Sequence, residues 1–181
     1  MRFKSVLADA DVVGRTMTRL SFEIVERAED LSNVVLVGIR TRGVPLADVI
    51  RTKIAANTGV QLPLGELDIT LYRDDLSTIA DLPVVSSSHI DFDLGGKDVV
   101  LVDDVLYTGR TVRAAIDALF SLGRPRTIKL AVLVDRGHRE LPIRADFVGK
   151  NIPTSKREMV SVHCLATDGK CDIELYDLDE E

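Results

Sequence analysis

Residues 99–111, Val-Val-Leu-Val-Asp-Asp-Val-Leu-Tyr-Thr-Gly-Arg-Thr, constrain the fold more than any other stretch of the chain. The unbroken apolar run at 99–102 has the length and β-branched content of a strand buried on both faces, the habit of parallel sheets. It runs into Asp103 and Asp104. After the turn Thr108-Gly109-Arg110-Thr111, Val112, Ala115, Ile116 and Leu119 recur at helical spacing. The acids therefore stand at the carboxyl end of a strand, where open α/β sheets bind ligands. Free backbone N–H groups and the positive end of the helix dipole make the following turn an anion site. Carboxylates suit ribose hydroxyls and the helix start suits a phosphate, so the segment describes a pocket for a ribose 5-phosphate. A response-regulator receiver also places acids after an apolar strand, but near the start of its domain; these lie past the midpoint of 181 residues.

The rest of the chain alternates in the same way. Asp9 or Asp11 can cap a first helix running to about Glu29, with Val13, Met17, Leu20 and Ile24 on one face. A buried strand at 34–39 precedes a helix at 45–57 that turns Leu46, Val49, Ile50 and Ile54 inward. A strand at 67–71 leads into a polar stretch from Tyr72 to about Phe92, and the strand at 99–102 follows Gly95-Gly96. Its helix ends at Gly123-Arg124-Pro125, and another strand occupies 128–134. This alternation predicts an α/β fold with a doubly wound, mostly parallel sheet flanked by helices. Residues 159–165 and 173–178 read as a terminal antiparallel strand pair. The length fits a single domain over 1–181 with a real core.

Composition narrows the setting. No apolar run approaches the roughly 20 residues of a membrane span, and charges break up the first nine residues too much for a secretory signal. Both point to a cytoplasmic protein. Cys164 and Cys171 lack the second pair of a zinc site and read as reduced thiols, and His89, His138 and His163 are scattered, so no metal site is expected. With a formal net charge of −6, any nucleic-acid site must be a local patch.

Four further stretches could carry chemistry. Arg40-Thr41-Arg42-Gly43 repeats the strand, turn and helix layout, and suits a second anion with glycine letting the backbone approach it. Tyr72-Arg73-Asp74-Asp75 opens a stretch long enough for a lid, from which Arg73 would clamp a leaving pyrophosphate. The loop from Arg136 through His138 and Arg139 to Arg144 overhangs the same sheet edge and could hold a base; His138 suits a structural hydrogen bond better than catalysis. With Lys150 beyond, it is also the densest basic cluster. On the first helix, Arg15, Thr18, Arg19 and Phe22 lie opposite the apolar stripe. An aromatic between arginines could stack on an unpaired RNA base; a subunit interface or one exposed Phe would account for it equally. His163 and Cys164 suit packing at a strand end better than a nucleophile and its base.

The Asp-Asp through Thr-Gly-Arg-Thr segment resembles the PRPP-binding motif of type I phosphoribosyltransferases. Val37 through Gly43, Leu67 through Leu76 and Ala131 through Arg139 and onward are similar to one branch of that family, the bacterial pyrimidine-operon attenuators that are also uracil phosphoribosyltransferases. The resemblance spans nearly the whole chain and is weakest at the C-terminus and between Ser77 and Leu94. It implies a small hood beside the sheet and the reaction uracil + PRPP = UMP + diphosphate, with Mg²⁺ carried mainly by PRPP. Asp103, Asp104 and Arg73 would be catalytic. Thr41, Arg42, Gly43, Val105, Leu106, Tyr107, Thr108, Gly109, Arg110 and Thr111 would bind PRPP or UMP. Arg136 and His138 would belong to the base and hood region. It further implies binding of leader mRNA of the pyrimidine operon under control of uridine nucleotides, through Arg15, Thr18, Arg19, Phe22, Arg139, Arg144 and Lys150, and a homo-oligomer, dimer or tetramer. Where many relatives read Ile-Ala-His, this chain reads Leu20-Ser21-Phe22, keeping a ring for stacking and losing a titratable hydrogen-bonding group. Two other readings use the same residues: a salvage enzyme with no RNA role, and a regulator that only senses nucleotides.

Overall fold

A computed structural model describes residues 1–69 and 88–178. Five strands form a parallel sheet in the order β3-β2-β4-β5-β6: β2 Val34–Ile39, β3 Leu64–Leu67, β4 Asp98–Leu106, β5 Thr127–Asp135 and β6 Phe147–Asn151. The order reverses between β2 and β4. Helix α2, Gly43–Thr58, follows β2, and α3, Arg110–Leu122, follows β4. Val34, Leu36, Val100, Val102 and Leu133 join one core with α2 and the first helix of the chain, whereas Val35, Val37, Leu101 and Val132 join a second with α3. Burial on both faces explains why these strands read as continuous apolar runs.

Helix α1, Ala10–Glu26, starts where Asp9 accepts the Val12 N–H at 2.9 Å, and it buries Val13, Met17, Leu20 and Ile24 as its periodicity predicts. In α2, Leu46, Ile50 and Ile54 face inward, but Val49 is 40% exposed. Buried Ala47 widens the stripe on the side away from Val49, which the helical turn therefore carries out to solvent.

Several boundaries differ from the sequence expectation. The strand expected at 67–71 lies at Leu64–Leu67, aligned from Leu36↔Leu64 to Ile39↔Leu67; Gly65 and Glu66 hide it in the pattern. Strand β4 continues through both acids to Leu106, because β5 goes on pairing with it as far as Leu106↔Asp135. Strand β6 escaped notice, since Gly149 and Lys150 interrupt its short apolar run. The terminal pair, β7 Glu158–His163 and β8 Asp172–Asp177, gains a third member at the N-terminus, β1 Arg2–Ala8. The antiparallel order is β1-β8-β7. Its Val160, Val162, Ile173 and Leu175 close the first core. No helix among the described residues is long and apolar enough to cross a membrane.

The Asp9 cap sets the start of the helix that covers this core. Asp9→Ala should lower unfolding free energy by about 1 kcal/mol with an unchanged denaturant slope, read by urea titration.

Candidate active site

Pairing of β2 with β4 stops at Gly38↔Val102, whereas β4 and β5 stay paired beyond it. Asp103 and Asp104 emerge at that gap, the crevice in which open sheets bind ligands. A cleft of about 550 Å³ opens there, lined by Arg40, Thr41, Arg42, Asp68, Ile69, Asp103, Asp104, Val105 and Thr111. Asp103 is only 6% exposed and its Oδ1 accepts the Asp104 N–H at 3.0 Å, while Asp104 Oδ1 accepts the Val105 N–H at 2.8 Å. Burial, followed by the neighbouring Asp104 charge, pushes the Asp103 carboxyl well above the usual carboxylate range. Asp103 is thus the retained-proton member behind the more open Asp104.

Helix starts approach from either side of the acids. A Cβ on Gly43 would lie 2.3 Å from the Val102 carbonyl oxygen, so glycine brings α2 directly against β4. The close approach expected of this glycine is therefore made to the strand backbone. Arg42 turns from the loop to the hood: Nε and Nη2 donate to Asp168 Oδ2 and Oδ1 at 3.2 and 2.9 Å. Arg40 donates to Glu66 Oε2 from Nε and Nη2 at 3.1 and 2.8 Å. On the far side Gly109, at φ 94°, caps α3 in a left-handed conformation, and Thr108 Oγ1 accepts the Arg110 N–H at 3.3 Å. Tyr107, Arg110 and Thr111 are exposed, but the Leu106 side chain is buried in the second core. Arg73 lies outside the described residues.

The basic loop after β5 is more inward than its charge suggests. Arg136 is 5% exposed and donates to Thr154 Oγ1, Ser155 O and Glu158 O at 3.0, 3.1 and 2.7 Å. Its guanidinium stacks 4.1 Å from the Tyr107 ring centre, and His138 meets the same ring edge-on at 6.1 Å. His138 Nε2 is 2.5 Å from Thr154 O. Both residues brace the turn beside the cleft and neither lines it. Cys164, close to the acids, has its thiol pushed up to about 12 by burial and by the Asp104 and Asp168 charges, which suits packing and not attack.

A basic face forms elsewhere. At Gly149 a Cβ would lie 2.4 Å from Leu133 O and 2.9 Å from Thr16 Cγ2, so α1 rests on β6 almost backbone to side chain. Arg19 pairs with Glu23 and donates from Nη2 to Gly149 O and Val148 O at 2.5 and 3.2 Å. Arg15 and Lys150 thereby come to neighbouring elements, while exposed Arg144 sits on the loop before β6. Thr18 Oγ1 accepts from Lys53 Nζ at 2.8 Å. Phe22, 50% exposed, lines a largely apolar groove of about 270 Å³ between α1 and α2 with Lys53, Ile54 and Asn57. Arg139, placed on the RNA surface by resemblance, points into the protein.

Sequence reasoning missed Asp68 and Asp168. Asp68 directly follows the end of β3, so the strand-end rule that singled out Asp103 would have found it had that strand been placed correctly. Asp168 ends a four-residue helix, Leu165–Asp168, and nothing local announces that it meets Arg42. The scattered histidines also acquire neighbours: ligand atoms of His163, Asp172 and Glu174 fall within 4.8 Å of one another. Lys170 Nζ already sits 3.3 and 2.7 Å from the two carboxylates.

With this geometry established, the phosphoribosyl transferase domain matches residues 7–167. The chain is 57% identical to the bifunctional protein PyrR of Deinococcus deserti over 98% of this chain and 97% of that protein. It is 58% identical to PyrR of Thermus thermophilus over 98% of each, and 58% to that of Clostridioides difficile over 92% and 94%. The chain belongs to the phosphoribosyltransferase family, in its PyrR branch. Among solved structures, the hypoxanthine phosphoribosyltransferase of Trypanosoma cruzi superposes with a TM-score of 0.73 at 17% identity, covering 98% of both chains. A hypoxanthine-guanine phosphoribosyltransferase from Bacillus anthracis gives 0.69 at 18%, covering 96% and 98%. The parallel sheet with its added antiparallel strands is the type I phosphoribosyltransferase fold.

Because folding raises the Asp103 pKa, the folded protein keeps this proton where the unfolded chain releases it. Stability is then lost as pH rises above the ordinary Asp value. Asp103→Asn should melt higher than the parent near about pH 8, with the gap shrinking toward about pH 4. Thermal melts across that range check it, and a gap independent of pH would remove the buried acid as its cause.

Proposed function

We propose that the protein transfers the ribose 5-phosphate of PRPP to uracil, releasing diphosphate and forming UMP, and that it binds pyrimidine-operon leader RNA in response to uridine nucleotides, so that transcription terminates when pyrimidines are plentiful. The observation that carries the first part is the acid pair at the sheet's switch point, with a helix start on either side. The kinship with PyrR proteins at well over half identity to several members carries the second.

Breaking the bond from ribose C1 to diphosphate leaves an oxocarbenium-like sugar and a highly charged leaving group. Catalysis then requires positioning and charge stabilisation more than a covalent nucleophile. Asp104 accepts from the ribose hydroxyls, and Asp103 behind it orients Asp104 through the 3.0 Å bond to its N–H. The charge of Asp104, held in place by Asp103, stabilises the positive charge developing at C1. The turn of Thr108, Gly109, Arg110 and Thr111, following Val105 to Tyr107, holds the 5-phosphate, while Thr41, Arg42 and Gly43 hold diphosphate. Asp168 engages Nε and Nη2 of Arg42 and so fixes its guanidinium at the wall of the cleft before a phosphate arrives. Arg73 is assigned to diphosphate by resemblance. Asp68 and Asp104 bring oxygen donors of the hard kind Mg²⁺ prefers to the wall of the cleft, too few for a protein cage of their own. Held mainly through PRPP oxygens and water, the ion would neutralise diphosphate charge.

For RNA, Arg15, Thr18, Arg19 and Phe22 on the outer face of α1, with Arg144 and Lys150, provide phosphate contacts and a stacking ring. The packing of α1 on β6 supports one continuous surface.

In a double variant, Asp103→Asn with Asp104→Asn, uracil transfer should fall by at least about a hundredfold. Gel-shift affinity for the leader RNA without nucleotide should stay near the parent value. Retained turnover would overturn the ribose-site assignment. A parent protein that transfers uracil but does not bind the RNA would be a salvage enzyme alone.

A further inference from the structure

The guanidinium of Arg139 has its N–H groups engaged inside the protein. Nε donates to Ile143 O at 3.0 Å, and Nη1 donates to Tyr107 O, Gly137 O and Leu106 O at 2.7, 3.2 and 3.4 Å. Nη2 pairs with Asp135. Burial works against the Asp135 charge, but Arg139 and the Gly137 N–H still hold its pKa below the usual value, so the pair is ionic. The side chain is 22% exposed.

The same loop is bonded to the turn ahead of α3. Arg136 N–H donates to Leu106 O at 3.1 Å, and the N–H groups of Glu140 and Leu141 both donate to Thr108 O at 2.9 and 3.2 Å. Arg110 Nε reaches Glu140 Oε2 at 2.7 Å. Three successive carbonyls, of Leu106, Tyr107 and Thr108, are thus drawn toward residues 136–141. In a trans peptide the N–H points opposite to its C=O. The N–H groups of Tyr107, Thr108 and Gly109 are therefore turned away from that loop, as a row of donors of the kind that cradles a phosphate.

We propose that Arg139 is a positioning residue of the nucleotide site, holding the carbonyls of residues 106 and 107 so that the following N–H groups meet the 5-phosphate. It thereby couples phosphate occupancy to the loop that presents Arg144 to RNA. The inference rests on the reading of 108–111 as the 5-phosphate site. Arg139 then supports RNA binding through the nucleotide and not through an RNA phosphate. Coupling of this kind is reciprocal: RNA strengthens UMP binding by the factor by which UMP strengthens RNA binding.

The test uses full-length parent, Arg139→Gln and, on the same loop, Arg144→Gln. UMP affinity is measured by calorimetry without RNA. Leader-RNA affinity is measured over a range of salt, with and without UMP. Arg139→Gln should weaken UMP about tenfold or more, keep the parent salt slope without UMP, and lose most of the UMP enhancement. Arg144→Gln should leave UMP affinity within about twofold and lower the salt slope by about one. If Arg139→Gln binds UMP like the parent while its salt slope drops by about one, it is an RNA contact and the proposal fails. Should Arg139→Gln fold poorly, Arg139→Lys decides by the same UMP readout, because it keeps the charge but spans fewer carbonyls. UMP as weak as in a nucleotide-site knockout would support the proposal, and parent-like UMP binding would overturn it. A parent protein that binds no UMP would instead overturn the 5-phosphate reading itself.

Discussion

Everything at the cleft depends on β4 outrunning β2. Hydrogen bonding with β2 stops at Val102, while β5 supports β4 four residues further, to Leu106. That one-sided extension lifts two consecutive acids out of the sheet without releasing them from strand geometry. It also leaves room for the start of α2 to press on the Val102 carbonyl, which glycine at 43 allows. The acids, the loop at 41–43 and the turn at 108–111 are then set by one backbone arrangement. A site built on strand ends and helix starts is rigid before its ligand arrives, which is what catalysis by positioning requires.

Charge is arranged around this frame in opposite senses. The cleft concentrates carboxylates, and its arginines lean outward, Arg40 to Glu66 and Arg42 to Asp168. The Arg42–Asp168 contact is a bridge between the loop after β2 and the antiparallel sheet, because Asp168 also accepts the Cys164 N–H at the end of β7. On the other side of the molecule, α1 and β6 gather cations in a chain whose net charge is negative. A local cationic face on a protein of negative net charge is the part of its surface that least repels a polyanion.

The loop at 136–144 shows how sequence composition can mislead. Three arginines in nine residues suggest a solvated patch. Two of them, Arg136 and Arg139, instead serve as multidentate staples for backbone carbonyls, work that a planar guanidinium with five N–H donors does well and lysine does not. The third, Arg144, is exposed and is not among the residues that wall the neighbouring turn. Charge in a sequence reports that a group is ionic; it does not report which way the group faces.

Short-range order was legible in the sequence. The strand at 34–39, the capped first helix, the acid pair and the helix start after Gly109 follow from periodicity, capping and turn chemistry, and these are local effects. Resemblance extended that to the family. Tertiary structure decided what local pattern cannot encode. Strands β1 and β6 exist because partners far along the chain supply their hydrogen bonds, Asp177 to Ile173 for β1 and residues 131–135 for β6. Asp68 enters the site only because a strand end is carried to the crevice, and Asp168 bears on it only because a four-residue helix is carried to Arg42. The inward turn of Arg139 likewise depends on two carbonyls, of Leu106 and Tyr107, more than 30 residues earlier in the chain. Long-range hydrogen bonds of this kind leave no periodic trace, because their partners are chosen by packing and not by spacing.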